Sequence, residues 1–266
     1  MILPVCGTYS KRFYKVSITF ACKNNNMRKL FLPIAGILFF FSSCDNVFKK
    51  TVHGNGNITT QQRNVDHADK IKSAGSFDIN IVQGSTASVK VEADENLMEY
   101  IVTKNEGDDL VIKTREGYNL QSDEPIKITV TTNELEELEV AGSGNVKGDG
   151  KFTGRDHLKI SVAGTGNVDL AVNTPRIESH IAGTGNITLA GETKDSKIEI
   201  AGMGDYNAGN LKSENVEIHI AGSGNTHVYA ETKLDVHIAG SGDVFYKGNA
   251  TISQDIAGSG KISKED

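Results

Sequence analysis

Tryptophan is absent from this chain, aromatic residues make up 6% of it, and 266 residues contain only 4 prolines and 3 cysteines. The missing tryptophan removes the best side chain for stacking on a sugar ring. Scarce cysteine excludes a disulfide framework, because Cys6 and Cys22 precede a leader described below and only Cys44 is left. Positive charge is not in surplus, with 28 Lys and Arg against 34 Asp and Glu. Such a surface repels phosphate backbones, and no basic stripe interleaved with aromatics offsets it, so nucleic acid is a poor partner. No Gly-x-Ser-x-Gly elbow opens a helix, and no helix follows the glycine-rich segments to supply a phosphate-binding terminus, which leaves no nucleophile constellation and no nucleotide loop.

What is present in abundance is glycine, 28 residues of it, fourteen of them in a recurring phrase of five residues, Ala-Gly-Ser-Gly-Asn and close variants. The phrase begins at Ala141, Ala163, Ala182, Ala201, Ala221, Ala239 and Ala257, at intervals of 18 to 22 residues. That spacing is the period of a solenoid. The residue before each alanine is apolar, as in Val140, Ile181 and Ile220, and apolar residues recur two and four positions earlier, as in Leu158, Ile160 and Val162. Alternation resumes after the phrase, with Val168 and Leu170 or Ile187 and Leu189 facing one way. A period of two means strands with one buried face, and two short strands joined by a glycine bend cannot bury that face unless copies stack at about 4.8 Å. The expected fold is therefore all-β, a parallel β-helix with coils of about 18–22 residues. The column after the glycines reads Asn145, Asn167, Asn186, Asp205, Asn225, Asp243, Lys261, which predicts a polar ladder along one corner in preference to calcium ligation.

The start of the chain has a different character. Residues 1–43 carry six basic residues and no acid; without them 22 basic residues face 34 acidic ones, a net charge of −12. Met27-Arg28-Lys29, the 12-residue apolar run Leu30–Phe41 and Ser42-Ser43-Cys44 read as the basic, apolar and cleavage regions of a signal peptide, and the run is too short to span a bilayer comfortably. Phe41-Ser42-Ser43-Cys44 resembles a bacterial lipobox, with phenylalanine in place of the usual leucine, which assigns lipid attachment to Cys44. The expected division is an upstream extension at 1–26, a lipoprotein signal at 27–43, a tether at 44–51 and a β-helix domain at 52–266, irregular over 52–134 and regular over 135–262. The segment His53-Gly54-Asn55-Gly56-Asn57-Ile58 is taken as a degenerate first copy of the repeat, with Val52 facing inward and Asn57 in the ladder column, and the phrase is expected to be missing from there to Ala141.

Between Ile58 and Ala141 the strands are irregular: Phe77–Ile81, Val89–Val91, Leu110–Ile112 and Ile126–Val130, with one helical turn at Glu95–Tyr100. The run Phe77–Gly84, the segment Ala93-Asp94-Glu95-Asn96-Leu97 and the segment Gly107–Ile112 resemble the N-terminal half of the head GIN domain family of auto-transporter adhesins, and the glycine phrase resembles its C-terminal half. The resemblance covers about residues 52–262. It implies a right-handed β-helix on a secreted or lipid-anchored protein of Gram-negative bacteria. The expected location, from the lipobox, is a lipid anchor in the cell envelope, at the outer membrane, periplasmic or surface-exposed.

One solvent-facing column carries titratable groups: Glu139, Ser161, His180, Glu199, His219, His237 and Asp255, two residues before each alanine. Stacking sets His219 beside His237 between Glu199 and Asp255, close enough for a metal to bridge them. A flat face with no supporting shell favours a solvated ladder instead, so no metal, cofactor or catalytic residue is assigned. A polysaccharide lyase or hydrolase is the alternative class, but it needs long loops to wall a cleft, and the intervals leave almost none. The expected function is a non-catalytic envelope lipoprotein, an adhesin or scaffold. Its membrane contact is the lipid anchor, and its partner is an envelope or extracellular protein or glycan.

Overall fold

The computed structural model describes residues 49–153 and 156–265. The extension at 1–26, the signal at 27–43, Cys44 and the tether as far as residue 48 lie outside the described residues. Nine strands precede the regular repeats: Lys50–His53 (β1), Ile58–Asn64 (β2), Lys70–Gly75 (β3), Asp78–Gln83 (β4), Ser88–Asp94 (β5), Ile101–Glu106 (β6), Asp109–Thr114 (β7), Tyr118–Gln121 (β8) and Lys127–Thr132 (β9). A short 3-10 helix, Glu95–Tyr100, follows β5 where the sequence places its one helical turn.

From residue 137 onward the chain is a parallel β-solenoid. The segments that end in Ala-Gly stack on one another in a register that sets Ala141, Ala163, Ala182, Ala201, Ala221, Ala239 and Ala257 on one line. In three coils, Asn186–Gly202, Tyr206–Gly222 and Thr226–Gly240, one strand runs unbroken from phrase to phrase where two short strands were expected. Strands that follow the phrase form a second parallel stack, Val146 on Val168 on Ile187 on Tyr206 on Thr226 on Val244. The core lies between the two stacks: Val140, Val162, Ile181, Ile200, Ile220 and Ile238 are each at most 2% exposed. Parallel strands buried on their inner face need each register held, because a slip of one residue would turn every isoleucine outward.

The two glycines of each phrase serve different ends. The first, as at Gly202, has φ +136°, a region L side chains rarely adopt, and its missing Cβ would also collide with the Gly183 carbonyl one coil below. The second, as at Gly204, needs no special backbone angle, but a Cβ there would strike the Gly185 carbonyl. The corner ladder is present: Asn167 Nδ2 donates to Asn145 Oδ1 at 2.9 Å and Asn186 Nδ2 to Asn167 Oδ1 at 2.8 Å. Where aspartate enters, the ladder changes form, since a carboxylate has no N–H to give. Asp205 accepts from the Asn225 backbone N–H at 2.8 Å, and Asp243 accepts from the Lys261 backbone N–H at 2.8 Å.

Two expectations about the N-terminal half are corrected. Ala74-Gly75-Ser76 is a further copy of the phrase: Ala74 stands in register with Ala141 and Gly75 with Gly142, and Ser76 Oγ meets Ser143 Oγ at 2.8 Å. Phe77 replaces its second glycine, which hides the copy in the sequence. The segment His53–Ile58, in contrast, is no rung. β1 pairs with β8 in a separate two-stranded sheet, and the glycines that follow wrap the carboxylate of Asp94, which is 2% exposed. The Gly56 N–H donates to Asp94 Oδ1 at 2.6 Å, Ser122 Oγ donates to Asp94 Oδ2, and a Cβ on Gly54 would collide with the same carboxylate.

Sequence order and spatial order part company in this half. β3 lies between β7 and the 137–142 strand, and β4 lies between β9 and the 145–153 strand, so the chain leaves the stack after β4 and returns beneath it. The excursion ends the parallel stack with antiparallel strands: β6 closes on β7, and β5 runs antiparallel to both β9 and β2. Leu97 of the 3-10 helix, fully buried, fills the end of the core. Such a cap covers one edge that would otherwise template pairing with another chain. Among the described residues no helix is long and apolar enough to cross a membrane.

Candidate functional site

A shallow groove of about 600 Å³ runs along the solenoid beside the alanine column. Its form follows from the repeat. Ile200 and its equivalents point inward, so the residues on either side point out, and the next outward position is alanine, the smallest side chain that keeps the strand conformation. Ala182, Ala201, Ala221, Ala239 and Ala257 make the floor, and His180, Glu199, His219, His237 and Asp255 make the wall. Repetition makes the groove continuous, and links as short as Thr165-Gly166 and Thr174-Pro175 leave no loop to close it.

The wall is the column singled out from the sequence, and its members do stand in register: Ser161, His180, Glu199, His219, His237, Asp255. His219 and His237 stack with ring centroids 4.8 Å apart and planes 7° from parallel. Partners that the column alone did not reveal come from the outward position two residues earlier on the same strands. His219 Nε2 lies 2.7 Å from Glu217 Oε1, His237 Nε2 lies 3.4 Å from Asp235 Oδ1, and His180 is held between Glu178 and Glu199 at 3.1 Å each. The repeated acid-x-His pattern was the available signal.

Charge on this wall is mutually compensated. Lys197 Nζ, 2.7 Å from Glu199 Oε1, holds the Glu199 carboxyl below the usual carboxylate range, burial opposes the shift, and His180 adds to it. The Lys233 ammonium does the same for Asp235. Ser161 adjoins His180 in the column, the only arrangement here that resembles a nucleophile beside a base. Both ring nitrogens of His180 already face carboxylates, so neither is free to take a proton from the Ser161 hydroxyl. Among the described residues no three His, Cys, Asp or Glu side chains form a ready-made metal cage. A second hollow of about 710 Å³ lies over the N-terminal half, where Lys127 is 3.6 Å from Glu92 and Asp78, Lys90, Lys147 and Asp149 complete a mixed-charge lining. Cys44, the expected lipid-attachment residue, lies outside the described residues.

Comparison with known proteins agrees with this architecture. Over residues 67–250 the chain matches the family described as "Putative auto-transporter adhesin, head GIN domain". A "putative adhesin" from Bacteroides fragilis is similar in structure with a TM-score of 0.76 at 24% identity, over 80% of this chain and 100% of its own. A "Putative lipid binding protein" from Parabacteroides distasonis gives 0.68 at 30% identity, over 82% and 100%. A "putative adhesin" from Parabacteroides merdae gives 0.61 at 23% identity, over 82% and 100%. No curated protein matches the chain. With a stacked parallel core, a glycine corner in every coil and a family match across most of its length, this chain belongs to the head GIN domain family.

Proposed function

We propose that this chain is a non-catalytic envelope lipoprotein, anchored through Cys44, whose long sheet faces hold an envelope or extracellular protein or glycan. The observation that carries the reading is the alanine-floored groove, which offers an extended contact surface and lacks the long loops that would close a cleft over a polymer. The family and its relatives described as adhesins support a binding role, and the Parabacteroides distasonis relative described as lipid-binding supports a setting beside a membrane. With Cys44 lipidated, residues 45–50 of the tether span on the order of 20 Å and hold the domain close to its membrane, at the periplasmic or external face.

The test has two arms in a Gram-negative host. Labelling with a fatty-acid analogue marks the wild type and not Cys44→Ala; an unlabelled wild type removes the anchor. In pull-downs from envelope and outer-surface extracts, the wild type retains a partner that Ala201→Arg, which fills the groove floor, releases. Turnover of a polysaccharide that a single carboxylate substitution abolishes overturns the non-catalytic reading.

A further inference from the structure

His219 and His237 are related in a way that solvation alone does not require. They occupy the same position on adjacent rungs, their rings are parallel at 4.8 Å, and each presents Nε2 to a carboxylate on its own strand, Glu217 and Asp235. In His219 the N–H given to Glu217 at 2.7 Å fixes the tautomer and leaves the lone pair on Nδ1; Asp235 Oδ1, 3.4 Å from His237 Nε2, makes no hydrogen bond, so the His237 ring is free to turn. Two imidazoles, one with its tautomer held and one free to turn, therefore stand side by side at the groove wall. The supporting shell that the sequence pattern did not reveal is supplied by the preceding outward column.

We propose that His219 and His237 together bind a divalent late transition-metal ion, Cu(II) in preference to Zn(II). Imidazole suits both ions, and affinity at a given nitrogen site rises to Cu(II) and falls again at Zn(II). Metal–nitrogen bonds of about 2.0–2.1 Å require the two rings to lean together. Their side chains are 42% and 46% exposed, so rotation about χ1 and χ2 achieves this without moving the core. Among the described residues no third side chain is already in place, so water fills the remaining positions, an arrangement that fits a tetragonal Cu(II) ion on an open sheet face better than a closed tetrahedral zinc site. Other imidazoles are less suited: His180 has both nitrogens on carboxylates, and His227 is stacked on Phe245 with Nδ1 3.2 Å from Glu265.

The full, tag-free chain is titrated calorimetrically with copper(II) chloride and with zinc chloride, and its one-to-one copper complex is examined by electron paramagnetic resonance. The wild type shows two nitrogen donors on copper and binds it more tightly than zinc. His219→Ala and His237→Ala each weaken copper binding by about tenfold or more and leave one nitrogen donor, and Glu217→Gln weakens it by about tenfold through the supporting hydrogen bond. His227→Ala binds as the wild type does. Metal-free melting curves that coincide for all variants establish that each is folded. Copper affinity unchanged in the His219→Ala/His237→Ala double variant, or a single nitrogen donor in the wild type, overturns the proposal.

Discussion

At the scale of single residues, the core shows compensation that period-two patterning does not anticipate. Ser179 and Ser196 sit in the inward columns where other rungs carry isoleucine, leucine or valine, and both are buried. They make room for Tyr206, fully buried in a position that elsewhere holds valine, isoleucine or threonine, and the Ser179 hydroxyl lies 3.5 Å from its phenol. Burial pushes the Tyr206 phenol above its ordinary range. A raised folded-state value means that this group's contribution is intact below the unfolded-state range near pH ~10 and is lost as pH rises toward the folded-state value. In an alkaline titration followed by phenolate absorbance, one tyrosine of the wild type ionises only as the protein unfolds, and Tyr206→Phe abolishes that late step. The inward column makes a second claim at this scale. Ile200→Ala costs about 2–5 kcal/mol in urea unfolding, while Lys197→Ala, which loses only an exposed ion pair, stays within roughly 0.5 kcal/mol. Equal, mild effects would mean that the column is misassigned.

At the scale of elements, the coil corner couples backbone conformation to stacking. Gly202 combines a positive φ with contact between neighbouring backbones, whereas Gly209 has open space around the position of a Cβ. Gly202→Ala therefore lowers unfolding stability by about 2–4 kcal/mol and Gly209→Ala changes it by less than about 1 kcal/mol, measured side by side by denaturant titration. The corner ladder was legible from its column because stacking at a fixed rise forces like onto like. Asp205 and Asp243 have no side-chain N–H and so give their backbone N–H to Asn186 and Asn225 below them, and the residues above them, Asn225 and Lys261, also donate through the backbone.

At the scale of the molecule, near-identical coils make stability close to a sum over rungs and their interfaces. Excising residues 222–239, one 18-residue interval of the repeat, joins Ala221 to Gly240 and keeps every remaining glycine corner in phase. That variant retains the strand signature in far-ultraviolet circular dichroism and melts cooperatively at a lower temperature than the wild type. Loss of all structure would show that the coils are not interchangeable. The antiparallel cap at β2, β5 and β6 lies far along the stack from this excision and is left intact.

By itself the sequence determined the solenoid, the inward isoleucine column and the line of side chains at the groove wall, because a repeated period carries one rung's geometry into the next. Only the tertiary structure decided the rest. The Ala74 rung is separated from Ala141 by the excursion that builds the cap, so no local period announces it. The glycines near Gly54 mimic the repeat but serve a buried carboxylate that arrives from Asp94, some 40 residues away in sequence. The acid partners of His219 and His237 depend on which rotamers two neighbouring outward columns share. Periodicity reports contacts that recur at a fixed spacing; contacts made once, across a long loop or between columns, leave no period to read.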